Sequence, residues 1–341
     1  MRLILTLFLA LVTLSPAAAA PLLVIAHRGA SGERPEHTLA AYERAIDAGA
    51  DFIESDLVAT KDLVLIARHE TELSDSTDVA SRDEFADRKR TKDVEGRKVT
   101  GWFAEDFTLA EIRTLRAKER LPAIRPANAR FDGLYQVPTF EEIVALAKAK
   151  QAETGRIVGL YPELKHPTML MEQAGIDMVD LLASALRKAG LETATDRVFV
   201  QAFEVAPLQR LNRLVEVPLI LLIAAEGGPY DEKNLRWSNM MTPSGLAEIA
   251  KYADGIGPHM DHVLGPDGTA TRLVADAHAA GLKIHPWTLR KENVFMTPAL
   301  QNPGGPAAPG KVEEAVALLK RAGVDGVFTD DPALVVSAGR R

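Results

Sequence analysis

The chain has 341 residues, a formal net charge of −7 and no cysteine. The negative charge argues against a nucleic-acid-binding protein, which would carry a basic stripe. The absence of cysteine from the sequence excludes disulfides, zinc–thiolate sites and thiol catalysis. With 47% hydrophobic residues, the chain can bury one large core or two small ones.

The first twenty residues, MRLILTLFLALVTLSPAAAA, have the pattern of a secretory signal peptide. Arg2 is followed by an apolar run, Leu3 to Leu14, that is too short to span a bilayer, and Ala17 to Ala20 offer a cleavage site. A buried N-terminal helix is the alternative, but the stretch lacks a polar face. No later segment has the roughly 18 unbroken apolar residues of a membrane span. We therefore expect a mature domain, residues 21–341, in the periplasm or the medium.

Eight short apolar or β-branched runs follow along the mature chain. They predict strands at Leu22–Ala26, Asp51–Val58, Arg156–Tyr161, Val198–Ala202, Pro218–Ala224, Gly255–Gly257, Leu282–Pro286 and Val324–Thr329. Between them lie stretches of helical periodicity, such as HTLAAYERAIDAGA, TFEEIVALAKAK, EQAGIDMVDLLASALRKAG and KVEEAVALLKRAG. Alternating strands and helices predict a parallel sheet, and eight units favour an α/β fold of the (β/α)8 TIM-barrel type. An open doubly wound sheet is the rival, but no G-x-G-x-x-G loop follows the first strand.

One further apolar run, Leu63–Ala67, follows the second strand too closely for a crossover helix and predicts a hairpin. A polar insertion, about residues 71–138, then separates this hairpin from the third barrel strand, with one helical pattern at LAEIRTLRAKER. A two-residue hairpin loop, Lys61 and Asp62, would place Glu54 opposite His69. A three-residue loop would turn His69 to the other face.

Polar residues cluster at the predicted carboxyl ends of the strands, where TIM barrels carry their active sites. Glu54 and Asp56 are two residues apart and share a face, as do Glu163 and Lys165. Three carboxylates that meet repel one another unless a cation lies between them, and oxygen ligands favour Ca²⁺ or Mg²⁺ over zinc. The guanidinium of Arg28 and the ammonium of Lys165 suit a phosphate.

Two histidines, His27 and His69, are predicted at the same rim and fit a general acid and a general base. Together with a metal site and a phosphate site, they indicate metal-assisted phosphodiester hydrolysis. Their structural alternative, hydrogen bonding at the rim, is disfavoured by the three carboxylates nearby.

Six separated motifs then resemble the glycerophosphodiester phosphodiesterase family, and its secreted, periplasmic bacterial branch in particular. They are HRGASGERPEHTLAAY, IESDLVATKD, RHE, GLYPELK, HPWTLR and GVFTDDP, in that order between about residues 23 and 335. The resemblance implies a TIM barrel with a small insertion and hydrolysis of small glycerophosphodiesters to sn-glycerol 3-phosphate and an alcohol. It implies a divalent cation, Ca²⁺ first and Mg²⁺ as the alternative. The implied site residues are metal ligands Glu54, Asp56 and Glu163, acid–base His27 and His69, phosphate-binding Arg28 and Lys165, and Phe203 and Trp287 in the substrate pocket.

Two residues depart from the family pattern, which commonly has Asp at position 70 and a small residue at position 166. Here they are Glu70 and His166, and the difference bears on substrate details. His37 is interpreted as structural, and support of the site by Glu36 stays open. A phosphoinositide-type phospholipase C is a rival function, as is an inactive binding protein on the same barrel. The sequence does not indicate an oligomeric state.

Overall fold

The computed structural model describes residues 21–339, so the predicted signal peptide lies outside the described residues. The strands are Leu23–Ala26 (β1), Phe52–Ala59 (β2), Leu65–Ala67 (β3), Arg90–Val94 (β4), Arg97–Gly101 (β5), Gly159–Leu164 (β6), Val200–Ala202 (β7), Leu219–Ile223 (β8), Gly255–Pro258 (β9), Lys283–Ile284 (β10) and Gly326–Thr329 (β11). The α-helices are Leu39–Asp47 (α1), Leu109–Ile112 (α2), Pro126–Ala129 (α3), Phe140–Thr154 (α4), Pro167–Ala174 (α5), Met178–Ala189 (α6), Val205–Leu211 (α7), Trp237–Met240 (α8), Pro243–Ile249 (α9), Leu273–Ala279 (α10), Val312–Ala322 (α11) and Pro332–Gly339 (α12).

Eight of these strands form one parallel sheet in the order β10-β9-β8-β7-β6-β2-β1-β11. Backbone hydrogen bonds join its two edge strands, from Asp325 N to Ile284 O at 3.1 Å and from Phe328 N to Pro286 O at 3.0 Å. The sheet therefore curls into a nearly closed barrel, and the predicted (β/α)8 TIM barrel is confirmed. Each of the eight predicted strands overlaps one observed strand.

The barrel is filled by apolar and aromatic side chains on the inner faces of the strands. This inner cluster comprises Ile25, Phe52, Tyr161, Phe199, Ile220 and Phe328. A larger cluster lies between the strands and the surrounding helices. Layers of bulky side chains inside the strands make a TIM barrel a packed core rather than a pore, so a ligand can enter only at an end.

The third barrel strand runs further than the sequence predicts. Its predicted range, Arg156–Tyr161, ends before Pro162. The structure instead continues β6 through Pro162 to Leu164, in register with β2. This register pairs Asp56 with Glu163 on adjacent parallel strands.

The β2–β3 hairpin has the three-residue loop, so the two-residue alternative, with Glu54 opposite His69, does not hold. β2 and β3 pair as Leu57 with Ala67 and Ala59 with Leu65. Leu63 adopts a left-handed conformation (φ 63°) and its N–H bonds to Thr60 O at 2.9 Å, which accommodates the extra residue. His69 still reaches the barrel rim because the chain bends at His69 and Glu70, beyond the paired residues.

Between β3 and α4 the chain builds a small unit with its own apolar cluster, which includes Phe85, Trp102 and Phe107. It contains the antiparallel hairpin β4–β5, which the sequence did not reveal. The predicted helix over LAEIRTLRAKER is confined to α2. Its second half is extended, because Ala117 N bonds to Tyr135 O and Lys118 N to Ser76 O.

Helix boundaries follow local capping signals. Thr38 caps α1, and Thr139 with Glu142 forms a capping box at α4. The stretch 172–190 is two helices rather than one, since Gly175 ends α5 in a left-handed conformation and Asp177 caps α6. Among residues 21–339, no helix is both long and apolar enough to cross a bilayer.

Candidate active site

A cavity of about 90 Å³, here named the rim cavity, opens at the carboxyl ends of the barrel strands. It is lined by His27, Arg28, Asp56, His69, Glu163, Lys165, Gln201, Phe203, Leu222, Trp287 and Phe328. Eight of the nine predicted site residues are in this lining. The ninth, Glu54, is 1% exposed and belongs to a carboxylate cluster with Asp56 and Glu163.

The three carboxylates of Glu54, Asp56 and Glu163 each offer an oxygen atom, and these atoms lie within 4.8 Å of one another. All three side chains are buried. Burial and the charges of Asp56 and Glu163 raise the pKa of Glu54 well above its usual range. Burial, together with Asp56, raises the pKa of Glu163 to about 8. The side chains of the described residues therefore do not fully compensate the negative charge of these three carboxylates.

The cluster fits a divalent cation. One oxygen of Glu54, Oε1, is buried and accepts no hydrogen bond within the described chain, while Oε2 accepts from the backbone N–H of Arg28 at 2.7 Å. A buried acceptor without a partner is costly, and carboxylate oxygens are the ligands that Ca²⁺ and Mg²⁺ prefer. Glu54, Asp56 and Glu163 could hold such an ion.

Arg28 is held rigidly beside these carboxylates. Its Nη1 donates to both oxygens of Glu36, at 3.1 and 3.0 Å, and its Nε lies 3.2 Å from Asp56 Oδ2. Glu36, whose role was open, therefore positions Arg28. The tight turn requires Gly29 (φ 81°), where a Cβ would come within 2.6 Å of the Ala41 backbone.

Lys165 is a second cation in the lining of the rim cavity. Its Nζ lies 3.0 Å from Glu163 Oε1 and 5.7 Å from the centroid of the Phe203 ring. Despite burial, the charges of Glu163 and Asp56 raise the pKa of Lys165, so it is a cation at neutral pH. Phe203 meets Trp287 edge to face at 5.8 Å, and the indole Nε1 of Trp287 donates to Gly257 O at 2.8 Å.

His27 follows β1 and contacts Asp330, which follows β11, with 2.6 Å between Nδ1 and Oδ1. Although burial opposes ionisation, Arg290 and Arg125 hold the pKa of Asp330 well below its usual range. The carboxylate therefore accepts, and Nδ1 of His27 carries the proton. This leaves Nε2 as the basic nitrogen of the ring. Burial and Arg28 lower the pKa of His27 to about 4.

His69 is paired with Glu70 through Nδ1, at 3.1 Å from Oε1. The other oxygen of Glu70 lies 3.1 Å from Nε2 of His166, whose Nδ1 contacts Glu95 at 2.7 Å. The two departures from the family pattern, Glu70 and His166, thus contact each other. Burial and the charges of Arg28 and Lys165 lower the pKa of His69 to about 3.

Two fully buried histidines, His37 and His285, have structural contacts. His37 is fully buried and donates from Nε2 to Asp56 Oδ2 at 2.9 Å, while its Nδ1 accepts from the Tyr42 hydroxyl at 2.7 Å. It therefore orients one carboxylate of the cluster. His285 is buried inside the barrel against the Tyr161 hydroxyl at 2.9 Å. Neither lines the rim cavity.

Sequence reasoning did not assign roles to Asp330, Arg125 and Arg290. Arg125 Nη2 donates to Asp330 Oδ2 at 2.7 Å and Arg290 Nε donates to the same oxygen at 2.9 Å. The motif GVFTDDP signalled an acidic strand end. No local pattern could indicate that Arg125, 205 positions away in sequence, contacts that end.

Comparison with known proteins gives consistent results. The family model of the glycerophosphoryl diester phosphodiesterase family matches residues 27–334. A glycerophosphodiester phosphodiesterase of Arabidopsis thaliana is 37% identical over 90% of this chain and 82% of its own length. One from Haemophilus influenzae is 32% identical over 91% of this chain and 87% of its own length.

Among solved structures, an Oleispira antarctica phosphodiesterase in complex with the product sn-glycerol-3-phosphate superposes with a TM-score of 0.62. It is 20% identical, and the match covers 94% of this chain and 98% of that one. At 20% identity, this similarity shows that the two proteins share a fold. The family match across most of the chain and two relatives above 30% identity confirm the predicted family: this chain belongs to the glycerophosphoryl diester phosphodiesterase family.

Proposed function

We propose that the protein hydrolyses glycerophosphodiesters to sn-glycerol 3-phosphate and an alcohol, with a bound divalent cation and two acid–base histidines. The observation that carries the proposal is the rim cavity, where His27 and His69 line the same small space as Asp56, Glu163, Arg28 and Lys165. The names of the curated relatives support the reaction. The product complex of the Oleispira antarctica phosphodiesterase supports the product.

The charges of the site suit a phosphodiester once a cation is present. Three carboxylates outnumber the two nearby cations, Arg28 and Lys165. A divalent cation held by Glu54, Asp56 and Glu163 would reverse that balance and supply Lewis-acid stabilisation to phosphoryl oxygens. The guanidinium of Arg28 and the ammonium of Lys165 then hold the diester, which carries one negative charge.

The two histidines divide the proton transfers. Each has its Nδ1 against a carboxylate, so each presents Nε2 to the reacting group. One imidazole takes the proton of the attacking group, and the other, as imidazolium, protonates the oxygen of the departing alcohol. The attacking group is either water or the substrate's own glycerol hydroxyl; in the second case a cyclic phosphodiester forms and water opens it in a second step, so either route consumes one water molecule. Besides burial, Arg28 lowers the pKa of both histidines and Lys165 lowers that of His69. The negative diester offsets these two cations and so favours the imidazolium needed as the acid.

The size of the rim cavity fits the glycerol end of the substrate. Its volume of about 90 Å³ is below the roughly 150 Å³ that accommodates benzene in another protein. Phe203 and Trp287 form an apolar wall at one side. A three-carbon polyol fits this space better than a lipid chain does.

A turnover assay with glycerophosphocholine tests the proposal. Hydrolysis should stop in chelator and resume when Ca²⁺ or Mg²⁺ is added, with Ca²⁺ as the favoured ion. Glu54→Gln, which removes charge and keeps shape, should weaken binding of Ca²⁺ measured by calorimetry. Full turnover in a preparation verified to be free of metal would contradict the metal requirement.

Export is the second part of the proposal and is supported by the apolar run before Pro21. N-terminal sequencing of the protein from the periplasm or medium should give a start between Ala18 and Pro21. An exported protein that still begins at Met1 would contradict a cleaved signal peptide.

A further inference from the structure

A second cavity, of about 530 Å³, adjoins the rim cavity and is here named the side pocket. The two share Glu163, Lys165 and Phe203 as lining residues. A group attached to a phosphate at Lys165 can therefore extend from one cavity into the other. The further walls that matter here are Glu95, Glu204, Tyr230 and Trp237.

Glu204 is a buried carboxylate without a counter-charge. The residue is 2% exposed, its Oε2 accepts from Thr168 N at 3.2 Å, and its Oε1 accepts no hydrogen bond. No cationic side chain among residues 21–339 forms an ion pair with it. Burial raises the pKa of Glu204 to about 7, and the charges of Asp231 and Glu95 add to the shift. A buried carboxylate in this position is stabilised by a cation brought by the ligand.

Aromatic rings of the side pocket already face cations. The ammonium of Lys165 lies 5.7 Å from the Phe203 centroid, and that of Lys233 lies 3.5 Å from the Tyr230 centroid. Trp237 adds a buried indole to the same wall. Aromatic faces attract organic cations, and quaternary ammonium groups are recognised in this way.

The hairpin β4–β5 contributes one further carboxylate, which is paired with a histidine. Glu95, at its turn, lines the side pocket and contacts His166 at 2.7 Å. Three basic residues of the lining, Arg97, Lys233 and Arg236, are exposed, and charges in water are screened more than buried ones. The two buried basic residues of the lining are already paired, Lys165 with Glu163 at 3.0 Å and His166 with Glu95 and Glu70. Among the buried residues of this lining, Glu204 is therefore the carboxylate without a counter-charge.

We infer that the side pocket binds the departing alcohol of the substrate and selects cationic amino alcohols, such as choline and ethanolamine, through the carboxylate of Glu204. This inference rests on the proposed hydrolysis of glycerophosphodiesters. It places glycerol in the rim cavity and the ammonium group of the alcohol beside Glu204.

Selectivity measurements test it. Wild-type protein should cleave glycerophosphocholine and glycerophosphoethanolamine with kcat/KM about tenfold above that for glycerophosphoglycerol. A factor of about ten is the size of effect expected when one ammonium group of the substrate pairs with one carboxylate of the protein. Glu204→Gln should bring that ratio close to one. The matched control Glu232→Gln, on an exposed carboxylate of the neighbouring segment, should keep the wild-type ratio. A wild-type ratio of one, or an unchanged ratio in Glu204→Gln, would overturn the inference.

Inhibition of the wild-type protein gives a test that requires no variant. Free choline should inhibit hydrolysis of glycerophosphoglycerol, whereas 3,3-dimethylbutan-1-ol, its uncharged isostere, should inhibit at least about tenfold less. Equal inhibition by the two would overturn the role of charge. Failure of the wild-type protein to cleave any of the three diesters would instead contradict the proposed function itself.

Discussion

His27 and His69 line the same rim cavity and each has a carboxylate at Nδ1, but the two carboxylates have different surroundings. Asp330, the partner of His27, is 2% exposed and is bonded by Arg125 and Arg290. Glu70, the partner of His69, has a side chain that is 36% exposed and rests on His166. The pair of His27 and Asp330 lies between strand ends, and the pair of His69 and Glu70 lies on a bend of the chain after β3.

Because of this difference, the two carboxylates should affect different properties: the orientation of the histidine in both cases, and the stability of the fold only for Asp330. A carboxylate that is buried among arginines orients its histidine and also compensates their charge, so its loss affects both activity and folding. A half-exposed carboxylate is screened by water and contributes little to stability. We therefore expect the His27 side to tolerate change less well than the His69 side.

The largest effect on activity is expected when either imidazole is removed. His27→Ala and His69→Ala should each lower kcat by roughly 10²-fold or more, as expected for a lost proton-transfer group. Added imidazole should restore more activity to His69→Ala, because His69 is the more exposed of the two. His278→Ala, on an exposed helix position, serves as the control. Near-wild-type kcat in either variant would show that another group transfers that proton.

The next effect compares the two carboxylates. Asp330→Asn should lower kcat by on the order of 10²-fold and Glu70→Gln by on the order of tenfold, since both leave the imidazole in place but less well oriented. Asp330→Asn should also lower the free energy of unfolding by about 3 kcal/mol, because it leaves buried arginines with less compensation. Glu70→Gln should cost less than about 1 kcal/mol.

Asp331→Asn is the matched control for this comparison. Asp331 is as buried as Asp330, but it binds Lys291 at 2.6 Å and not His27. Its variant should unfold more easily, as measured by circular dichroism, and keep its kcat at temperatures well below Tm. Equal losses of kcat in the two aspartate variants would mean that destabilisation, rather than orientation of His27, explains the effect.

The smallest effect concerns the contact of His166 with Glu70 and Glu95. Although burial opposes it, these two carboxylates raise the pKa of His166 to about 9. A raised folded-state pKa stabilises the fold fully below the unfolded value of about 6.5, and the contribution is lost as pH rises through 9. Glu95→Gln should therefore lower Tm at pH 7, and the difference from wild type should close by pH 10. A difference that is the same at both pH values would refute this contact as its source.

The fold and the strand-end residues were accessible to sequence reasoning because they depend on local patterns. Strand periodicity places Glu54 and Asp56 on one face, and parallel strands of a barrel present their carboxyl ends at one rim. The eight alternating units therefore predicted the barrel and the charged residues at its rim, whereas the roles of Phe203 and Trp287 came from the resemblance to the family. The sequence left two hairpin registers open because the backbone conformation of Leu63, a non-glycine residue at φ 63°, has no sequence signal.

The sequence by itself determined the barrel and the types of chemical group at the rim, since these follow from residue spacing and strand parity. Six motifs in the sequence indicated the family. Only the tertiary structure decided the partners of those groups. Arg125 reaches Asp330 from the small unit between β3 and α4, and Glu95 reaches His166 from the β4–β5 turn. Such contacts join residues far apart in the chain and depend on how separately folded segments pack. A buried charge is costly unless another residue compensates it. The spacing of residues along the chain does not indicate which residue the fold brings to that charge.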